Sequence, residues 1–382
     1  MINLNNFVTI NIDYDSAISA NGSRPVVVLL DDLTTANTQV LAKASYHWTS
    51  LNDFTTALSN DKPEINQLYK MVATYFENGG KEIHYIKYTE NEGINTTIEK
   101  IKGLPTNEIL IAACFNDREK LINVAAKINT EMTGINEKFF LISKAKPESK
   151  ETITDETKFD DYPNMAIKIG DAGIEMTIAA YLSKIDIDTG NIQDYCFTNE
   201  YLGSFINDST TPVIDDNDIF AKLKEISRYN MNIKLVQDTN NYVRNYGGNT
   251  AAKQDLVNYY VKIILIQTLS EALFSLLKTK IKYSQSSIAL ISATITDELN
   301  RYKRAGYLST DKIWTNGDQY DASGNYLILS NNTPLTRGYT FSILPLESLT
   351  NADKAEHKLP PIYVFLADTY SIRQISLMGK LF

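Results

Sequence analysis

The chain has 382 residues, of which 43% are hydrophobic and 22% are charged, and it carries a formal net charge of −9 at pH 7. This is the composition of a globular protein, and it excludes a disordered or collagen-like chain. The negative charge argues against general binding to nucleic acid, because neutralising phosphates requires clustered Lys and Arg. The length allows two or three domains.

Signals for export or membrane insertion are not expected in this sequence. The first residues, MINLNNFVTINIDYD, have neither a basic start nor a long apolar run, so we predict no signal peptide. The most apolar stretch, 261–277, is interrupted by Lys262 and Glu271, which predicts a buried helix rather than a membrane span. Without an export signal, Cys114 and Cys196 are expected to be reduced thiols rather than a disulfide.

The N-terminal segment predicts a strand that stands apart from the next element. Four apolar residues alternate there with polar ones: Val8, Ile10, Ile12 and Tyr14. A period of two is typical of a β-strand with one buried face. The break at 21–23 separates it from the continuous apolar run 24–30, which predicts a fully buried strand.

Residues 50–184 predict alternating helices and strands. Ser50 and Asp53 have the spacing of a capping box and begin a short helix, and a second, amphipathic helix ends at Gly79 and Gly80. The elements that follow are strands at 83–88, 109–115, 139–143 and 165–169, with helices at 121–128 and 176–184. This order predicts an α/β (α+β) fold with a partly parallel sheet flanked by helices.

The composition becomes polar and acidic near 204–218, where we place a domain boundary. Beyond it we predict a strand at 233–236, helices at 219–228, 253–280 and 291–306, a hairpin ending at 327–329, a strand at 338–345, a short charged helix at 348–358 and a strand at 362–366. The polar loop 144–163 and the acidic stretch 207–218 have no assigned role and could be surface decoration.

The C-terminal segment 373–382 predicts a second isolated amphipathic strand. Ile375, Leu377 and Leu381 occupy alternate positions against Gln374 and Lys380. An unpaired strand is a liability in a monomer but a linking element in a polymer.

Catalytic and ligand-binding motifs are weak in this sequence. The three histidines lie at unrelated spacings: His47, His84 and His357. The loop 247–250 with Lys253 lacks the second glycine and the Ser/Thr of a phosphate loop, so we predict a connection into the long helix. The turn 186–190 lacks most calcium ligands and predicts an ordinary acidic turn. We therefore expect no enzyme activity, no cofactor and no metal.

Several segments carry a family resemblance. They are 50–54, the glycine pair and strand within 75–88, the strand and loop within 230–250, and a C-terminal block from 338 to 375. The C-terminal block is the most specific, with Leu-Pro-Pro-Ile-Tyr-Val at 359–364 followed by Phe-Leu-Ala-Asp. Together these segments resemble the phage contractile tail sheath family, in a compact sheath-like branch.

The resemblance implies a multi-domain structural subunit with terminal strand arms. Its parts would be an N-terminal strand arm 1–20, an α/β outer domain 21–210, a tube-facing C-terminal sheath domain 211–368 and a C-terminal strand arm 369–382. Such a subunit polymerises helically in stacked rings around a tail tube and contracts to drive the tube through a bacterial envelope. The implied partners are copies of itself and the tail tube, baseplate and tail-terminator proteins, without nucleic acid or membrane. It would be assembled in the host cytoplasm and located in the virion.

The resemblance also assigns sites. The N-terminal strand described above and a C-terminal arm would pair with neighbouring subunits, the latter through Ile372, Ile375, Leu377 and Leu381. A short helix would face the tube, through Asp353, Lys354, Glu356 and Lys358. From their position beside the two arms, we also expect the segments 16–22 and 368–371 to bend as hinges while the strands stay paired.

Three alternatives stay open at this point. Both terminal strands could instead complete the subunit's own sheet. The chain could be an α/β enzyme or small-molecule-binding domain, or another structural protein of the tail, such as the tube or baseplate.

Overall fold

The structure, a computed structural model, describes residues 10–13, 27–31, 45–57, 67–88, 93–102, 110–114, 118–134, 137–190, 194–196, 198, 213–214, 216–234, 243–279, 281–355 and 358–369. The helices are α1 (Leu51–Ala57), α2 (Gln67–Glu77), α3 (Gly93–Lys102), α4 (Arg118–Glu131), α5 (Glu175–Leu182), α6 (Asn217–Ile226), α7 (Leu256–Leu277), α8 (Gln285–Arg304) and α9 (Asn351–Ala355).

The strands of the first half are β1 (Ile10–Asp13), β2 (Val27–Asp31), β3 (Ser45–Trp48), β4 (Ile83–Lys87), β5 (Leu110–Cys114), β6 (Phe139–Lys144) and β7 (Met165–Ile169). Those of the second half are β8 (Val213–Ile214), β9 (Tyr229–Lys234), β10 (Val243–Tyr246), β11 (Gln319–Tyr320), β12 (Leu327–Leu329), β13 (Tyr339–Ile343) and β14 (Ile362–Leu366).

The larger sheet, called the body sheet below, has nine strands within the described ranges, in the order β10-β9-β7-β6-β5-β2-β4-β3, with β8 also paired to β9. Its inner pairs are parallel, and β3 and β10 are antiparallel to their neighbours at the two ends. Parallel neighbours require crossover connections, and helices such as α2, α3 and α4 supply them. The predicted α/β class and partly parallel sheet are confirmed.

Both faces of the body sheet are covered. Ile83 and Tyr85 of β4 lie in a core with α2, α5, α7 and α8, whereas Ile86 lies in a second core with α3, α4 and α6. Alternate residues of one strand thus enter different cores, because successive side chains point to opposite faces. This explains why the inner strands are continuous apolar runs rather than alternating ones.

Helix α7 crosses the first core. By length and composition alone it could span a membrane, but most of it is buried inside the protein, as expected of a core helix. This confirms the prediction of a buried helix. Burial lowers the pKa of Lys262 to about 8, and its ammonium lies 3.7 Å from the centre of the Tyr259 ring. The cation is thus compensated by an aromatic face.

A glycine pair ends α2, as predicted. Gly79 has φ +83°, a left-handed conformation that favours glycine, and the Gly80 amide donates to the Tyr75 carbonyl at 2.9 Å. A Cβ on Gly80 would lie 2.3 Å from the buried Tyr75 ring. Both glycines are therefore required, for different reasons.

The polar loop 144–163 is part of the fold rather than surface decoration. Ile153 and Phe159 are buried in the second core. The fully buried Arg228 pairs with Asp155 and Asp160, each at 2.6 Å. Burial opposes ionisation of Asp155, but hydrogen bonds from Lys253 and Arg228 outweigh it and hold its pKa below the usual range.

The body sheet crosses the predicted domain boundary after residue 210. Tyr229 at the start of β9 pairs with Ile167 of β7, and helix α7 packs in the same core as α2 and α5. The two predicted halves therefore share one sheet and one core. The division into an outer domain 21–210 and a sheath domain 211–368 stays a prediction.

Candidate assembly surfaces

A second sheet, called the terminal sheet below, is built from segments near both ends of the chain. Its order is β1-β14-β13. Strand β1 runs parallel to β14, with Ile10 opposite Ile362 and Asp13 opposite Phe365. Strand β13 runs antiparallel on the other side of β14. The central strand is therefore the Ile-Tyr-Val-Phe-Leu segment of the C-terminal block.

Both faces of β14 are fixed by packing. Ile362, Val364 and Leu366 are buried in the core that contains α7 and α8. On the opposite face, Phe365 meets Trp314 edge-on, with ring centres 5.3 Å apart. Buried aromatic pairs of this geometry add roughly 0.5–1.5 kcal/mol beyond their area. The middle strand of the terminal sheet is thus packed on both faces.

The two edges of the terminal sheet are β1 and β13. Among the described residues, no further strand pairs with the outer side of either one. An edge strand exposes a row of backbone donors and acceptors that another strand can pair with. Both edges are therefore places where another strand could add.

The predicted N-terminal strand is partly within the described residues. Ile10 and Ile12 are within β1, whereas Val8 and Tyr14 are outside the described residues. The strand pairs with β14 of its own chain, which is the arrangement given above as the alternative to a link between subunits. Its exchange between subunits stays a prediction.

The C-terminal arm residues Ile372, Ile375, Leu377 and Leu381 lie outside the described residues. The segment just before them is firmly attached. Asp368 is fully buried and pairs with Lys312, and the Thr369 hydroxyl donates to the Gly306 carbonyl at 2.6 Å. A bend at 368 or 369 would break these contacts, and the hinge at 368–371 stays a prediction.

Helix α9 contains two of the four predicted tube-facing residues, Asp353 and Lys354, and Glu356 and Lys358 follow it in the chain. The Asp353 amide donates to Thr350 Oγ1 at 3.1 Å, and the Asp353 carboxylate accepts from the Thr350 hydroxyl and amide, at 2.6 and 3.1 Å. These bonds lower the pKa of Asp353, led by the Thr350 hydroxyl. Lys358 Nζ lies 3.5 Å from Asp353, Lys354 is exposed, and Glu356 is outside the described residues. Asp353 therefore stabilises the start of α9 through its bonds to Thr350, and the charged side chains of Lys354 and Lys358 are exposed.

The loop that superficially resembles a phosphate loop connects β10 to α7, as predicted. The Gly248 amide donates to Asn230 Oδ1 at 2.6 Å, and a Cβ on Gly247 would lie 2.8 Å from the Tyr229 carbonyl. Lys253 Nζ lies 2.7 Å from Asp155. The glycines thus allow close packing on β9, and the lysine belongs to the Arg228 cluster.

The acidic turn 186–190 is also held by the chain itself. Arg301 of α8 donates to Asp188 Oδ1 from Nε at 3.0 Å and from a terminal nitrogen at 2.6 Å. The Asp188 amide donates to Asp186 at 2.9 Å. This is the ordinary turn that the sequence predicts, tied to a helix of the first core.

Solved structures with the same fold are components of contractile machines. The helical sheath of the anti-feeding prophage in its contracted state matches with a TM-score of 0.62 and 15% identity, over 98% of each chain. The PVC sheath complex of an extracellular contractile injection system, also contracted, matches with a TM-score of 0.63 and 16% identity, over 98% of this chain and 96% of that one. The contracted anti-feeding prophage baseplate contains a chain that matches with a TM-score of 0.66 and 14% identity, over 98% of each chain.

A sheath tail protein from Listeria innocua matches less closely, with a TM-score of 0.52 and 9% identity, over 92% of this chain and 96% of that one. No family model and no curated protein matches the sequence. The chain therefore has the sheath-type fold over nearly its whole length, as the resemblance implied.

Proposed function

We propose that this chain is the structural subunit of a contractile sheath, which polymerises helically around an inner tube and drives the tube through a bacterial envelope when it contracts. The observation that carries the proposal is the extent of the structural match. Two contracted sheath chains align with this chain over nearly the full length of both partners. If the proteins shared only one domain, much of at least one chain would stay unaligned. Here little of either chain is unaligned.

The terminal sheet supports a linking role for the chain ends. In an isolated subunit, β1 occupies one edge of its own β14. The same edge could accept the identical strand of a neighbouring copy, because exchange of an identical element preserves every contact. The outer edge of β13 or the edge left by β1 could receive the C-terminal arm. Both arms would then add strands to neighbouring subunits.

The energies favour a link between subunits that is weak for one arm and strong when many arms act together. Each fully buried arm side chain contributes roughly 1.5–3 kcal/mol, and each ladder hydrogen bond roughly 0.5–1.5 kcal/mol. Ordering the arm costs about 1–2 kcal/mol per residue. These terms nearly cancel for one arm. Repeated around every ring, a small surplus per link stabilises the lattice, while single subunits stay dissociated before assembly.

The tube contact is proposed at α9. Lys354 and Lys358 are exposed there, and the surface ion pair of Lys358 with Asp353 contributes about 0–1 kcal/mol. Weak contacts suit a surface that must release the tube during contraction. The contraction energy would be stored in the lattice of subunits rather than supplied by nucleotide hydrolysis.

The other proposed partners are the baseplate and a tail terminator. One matched chain belongs to a baseplate in its contracted state, which supports a baseplate contact. The assembly would be a phage virion or a related injection system, built in the bacterial cytoplasm.

A small-molecule-binding domain is the second candidate, and one observation favours it. Strand β2 lies between β4 and β5, so the chain adds strands on one side of β2 and then on the other. In open α/β sheets, ligands bind at the carboxyl ends of strands beside such a reversal.

Electron microscopy of the purified full-length protein distinguishes the two candidates. The sheath proposal predicts helical cylinders at high protein concentration or with the tube protein present, formed without added nucleotide. Discrete globules under all of these conditions would contradict it and leave the binding domain as the better account.

A further inference from the structure

The end of the body sheet brings together two histidines and a carboxylate from separate parts of the chain. His47 of β3 and His84 of β4 are directly opposite in the antiparallel register. Their ring centres are 4.2 Å apart. Glu82 lies two residues before His84, so it shares the face of the sheet on which His84 lies. His47 Nε2 is 3.5 Å from Glu82 Oε2.

We propose that His47, Glu82 and His84 form a binding site for a divalent transition metal ion of the zinc class. One ligand atom from each residue lies within 4.8 Å of the other two. Zinc bonds of about 2.0–2.1 Å in tetrahedral geometry separate neighbouring ligand atoms by about 3.3 Å. The pair of His47 and Glu82 is already close to that separation, so mainly one imidazole has to approach.

The side chains have the freedom to make this adjustment. His47 and Glu82 are 48% and 49% exposed, so rotation about their side-chain bonds displaces solvent rather than packed neighbours. The backbone beneath them is fixed, because Trp48 and Ile83, the next pair in the same register, are buried in the first core. A rigid base with movable ligands at its surface is suited to a metal that enters from solvent.

The donor set selects the class of ion. Imidazole nitrogens favour zinc, copper, nickel and iron over magnesium and calcium, which prefer oxygen ligands. Three protein ligands leave at least one coordination position for water or another group. The competing interpretation is a surface ion pair between Glu82 and a protonated His47, which requires no metal.

A metal here would join two strands. In the described residues β3 is the last strand of the body sheet on its side and pairs only with β4. A metal held by β3, β4 and the residue before β4 would act as a cross-strand staple at this end. The sequence predicted no metal because spacing alone does not show that His47 and His84 are register partners.

The test uses tag-free full-length protein, stripped with EDTA and titrated with zinc chloride in a calorimeter. We expect one zinc ion per chain and a higher melting temperature with zinc. His47→Ala and His84→Ala should abolish the binding. Glu82→Gln should weaken it by at least the roughly 10–100-fold that loss of an outer-shell partner costs. All three variants should melt like the wild type in EDTA, since the site is empty there.

Two matched variants serve as controls. His357→Ala removes the third histidine, and Cys196→Ser removes a thiol that could hold zinc elsewhere. Both should bind zinc as the wild type does. Binding that is absent from the wild type, survives His47→Ala, or follows Cys196 overturns the proposal.

One measurement needs no variant and so stays decisive if a substitution unfolds the protein. With ¹⁵N-labelled imidazoles, zinc should shift the ring-nitrogen resonances of two of the three histidines. It should also slow amide exchange in β3. Shifts in none or only one histidine would contradict the site.

Discussion

The body sheet and the terminal sheet of this protein differ in size and in the way that they are packed. In the described residues the body sheet has nine strands with helices over both faces, and the fully buried Arg228 beside it is paired with two carboxylates of the same chain. In the described residues the terminal sheet has three strands, and its middle strand is packed on both faces. We propose that the body stabilises the subunit and that the terminal sheet contacts its partners.

If this division is correct, changes in the body should alter melting of the isolated subunit, and changes near the chain ends should alter assembly. Arg228→Ala should have the largest effect on melting. It removes a buried cation, its bonds to Asp155 and Asp160, and its 2.7 Å bond to the Ala251 carbonyl. Breaking a buried pair costs about 3–5 kcal/mol, and the partial exposure of both carboxylates places this case near the lower figure.

Lys253→Ala is the matched control, because it removes a second cation from Asp155. Lys253 is 40% exposed, so the expected loss is only about 0–1 kcal/mol. Denaturant unfolding of the two variants gives both values. Equal losses would show that the cluster does not stabilise the body through burial.

Glu175→Gln should produce the next largest effect, and one that depends on pH. Glu175 is fully buried in the first turn of α5, and burial raises its pKa from 4.5 to about 7, against the hydrogen bond donated by the Gly173 amide. The folded state therefore holds a proton that the unfolded state releases above pH 4.5. Wild-type stability should fall as pH rises from about 4.5 to about 7 and then stay level with respect to this group.

Glutamine cannot ionise, so the variant should lose this pH dependence. Its stability relative to the wild type should increase by up to about 3 kcal/mol between pH 4.5 and 8, since one pKa unit corresponds to about 1.4 kcal/mol. Thermal unfolding across this range measures the difference. A difference that does not change with pH would show that Glu175 is ionised in the folded protein.

Lys354→Glu combined with Lys358→Glu should have little effect on melting, because both lysines are exposed. Assembly on tubes should be weaker, most clearly at low salt, where surface charges are least screened. Lys303→Glu with Lys224→Glu is a control with the same change of charge on other helices. Assembly of the α9 variant at the wild-type rate at low salt would place the tube contact elsewhere.

The sequence predicts the inner strands and the long helices because burial on both faces produces continuous apolar runs. It does not predict β3, α3 or β10, whose residues are mixed. In β10, Asn245 is buried and its Oδ1 accepts from the buried Lys168 at 2.7 Å, so the strand is held partly by polar contacts. Hydrophobic periodicity in the sequence does not reveal a strand of this kind.

The sequence predicts the strands of the assembly surfaces but not which strands pair with each other. Alternation predicts that Ile10 and Ile12 lie on a strand, yet nothing in the local sequence identifies β14, near the other end of the chain, as its neighbour. The anchoring of Asp368 by Lys312 was missed for the same reason, since the contact joins residues far apart in sequence. Partners of this kind become visible only once the fold has positioned them.

Deletion of residues 372–382 tests the central claim most directly. The cut falls beyond the anchored Asp368 and Thr369, so it removes none of the described residues of the terminal sheet or of the two cores. A full-length variant with Ile375, Leu377 and Leu381 changed to Ser separates loss of the apolar face from loss of length. For both proteins the account predicts a soluble monomer that melts near the wild-type temperature and forms no cylinders under the electron microscope. A truncated chain that unfolds, or one that still assembles into cylinders, would contradict it.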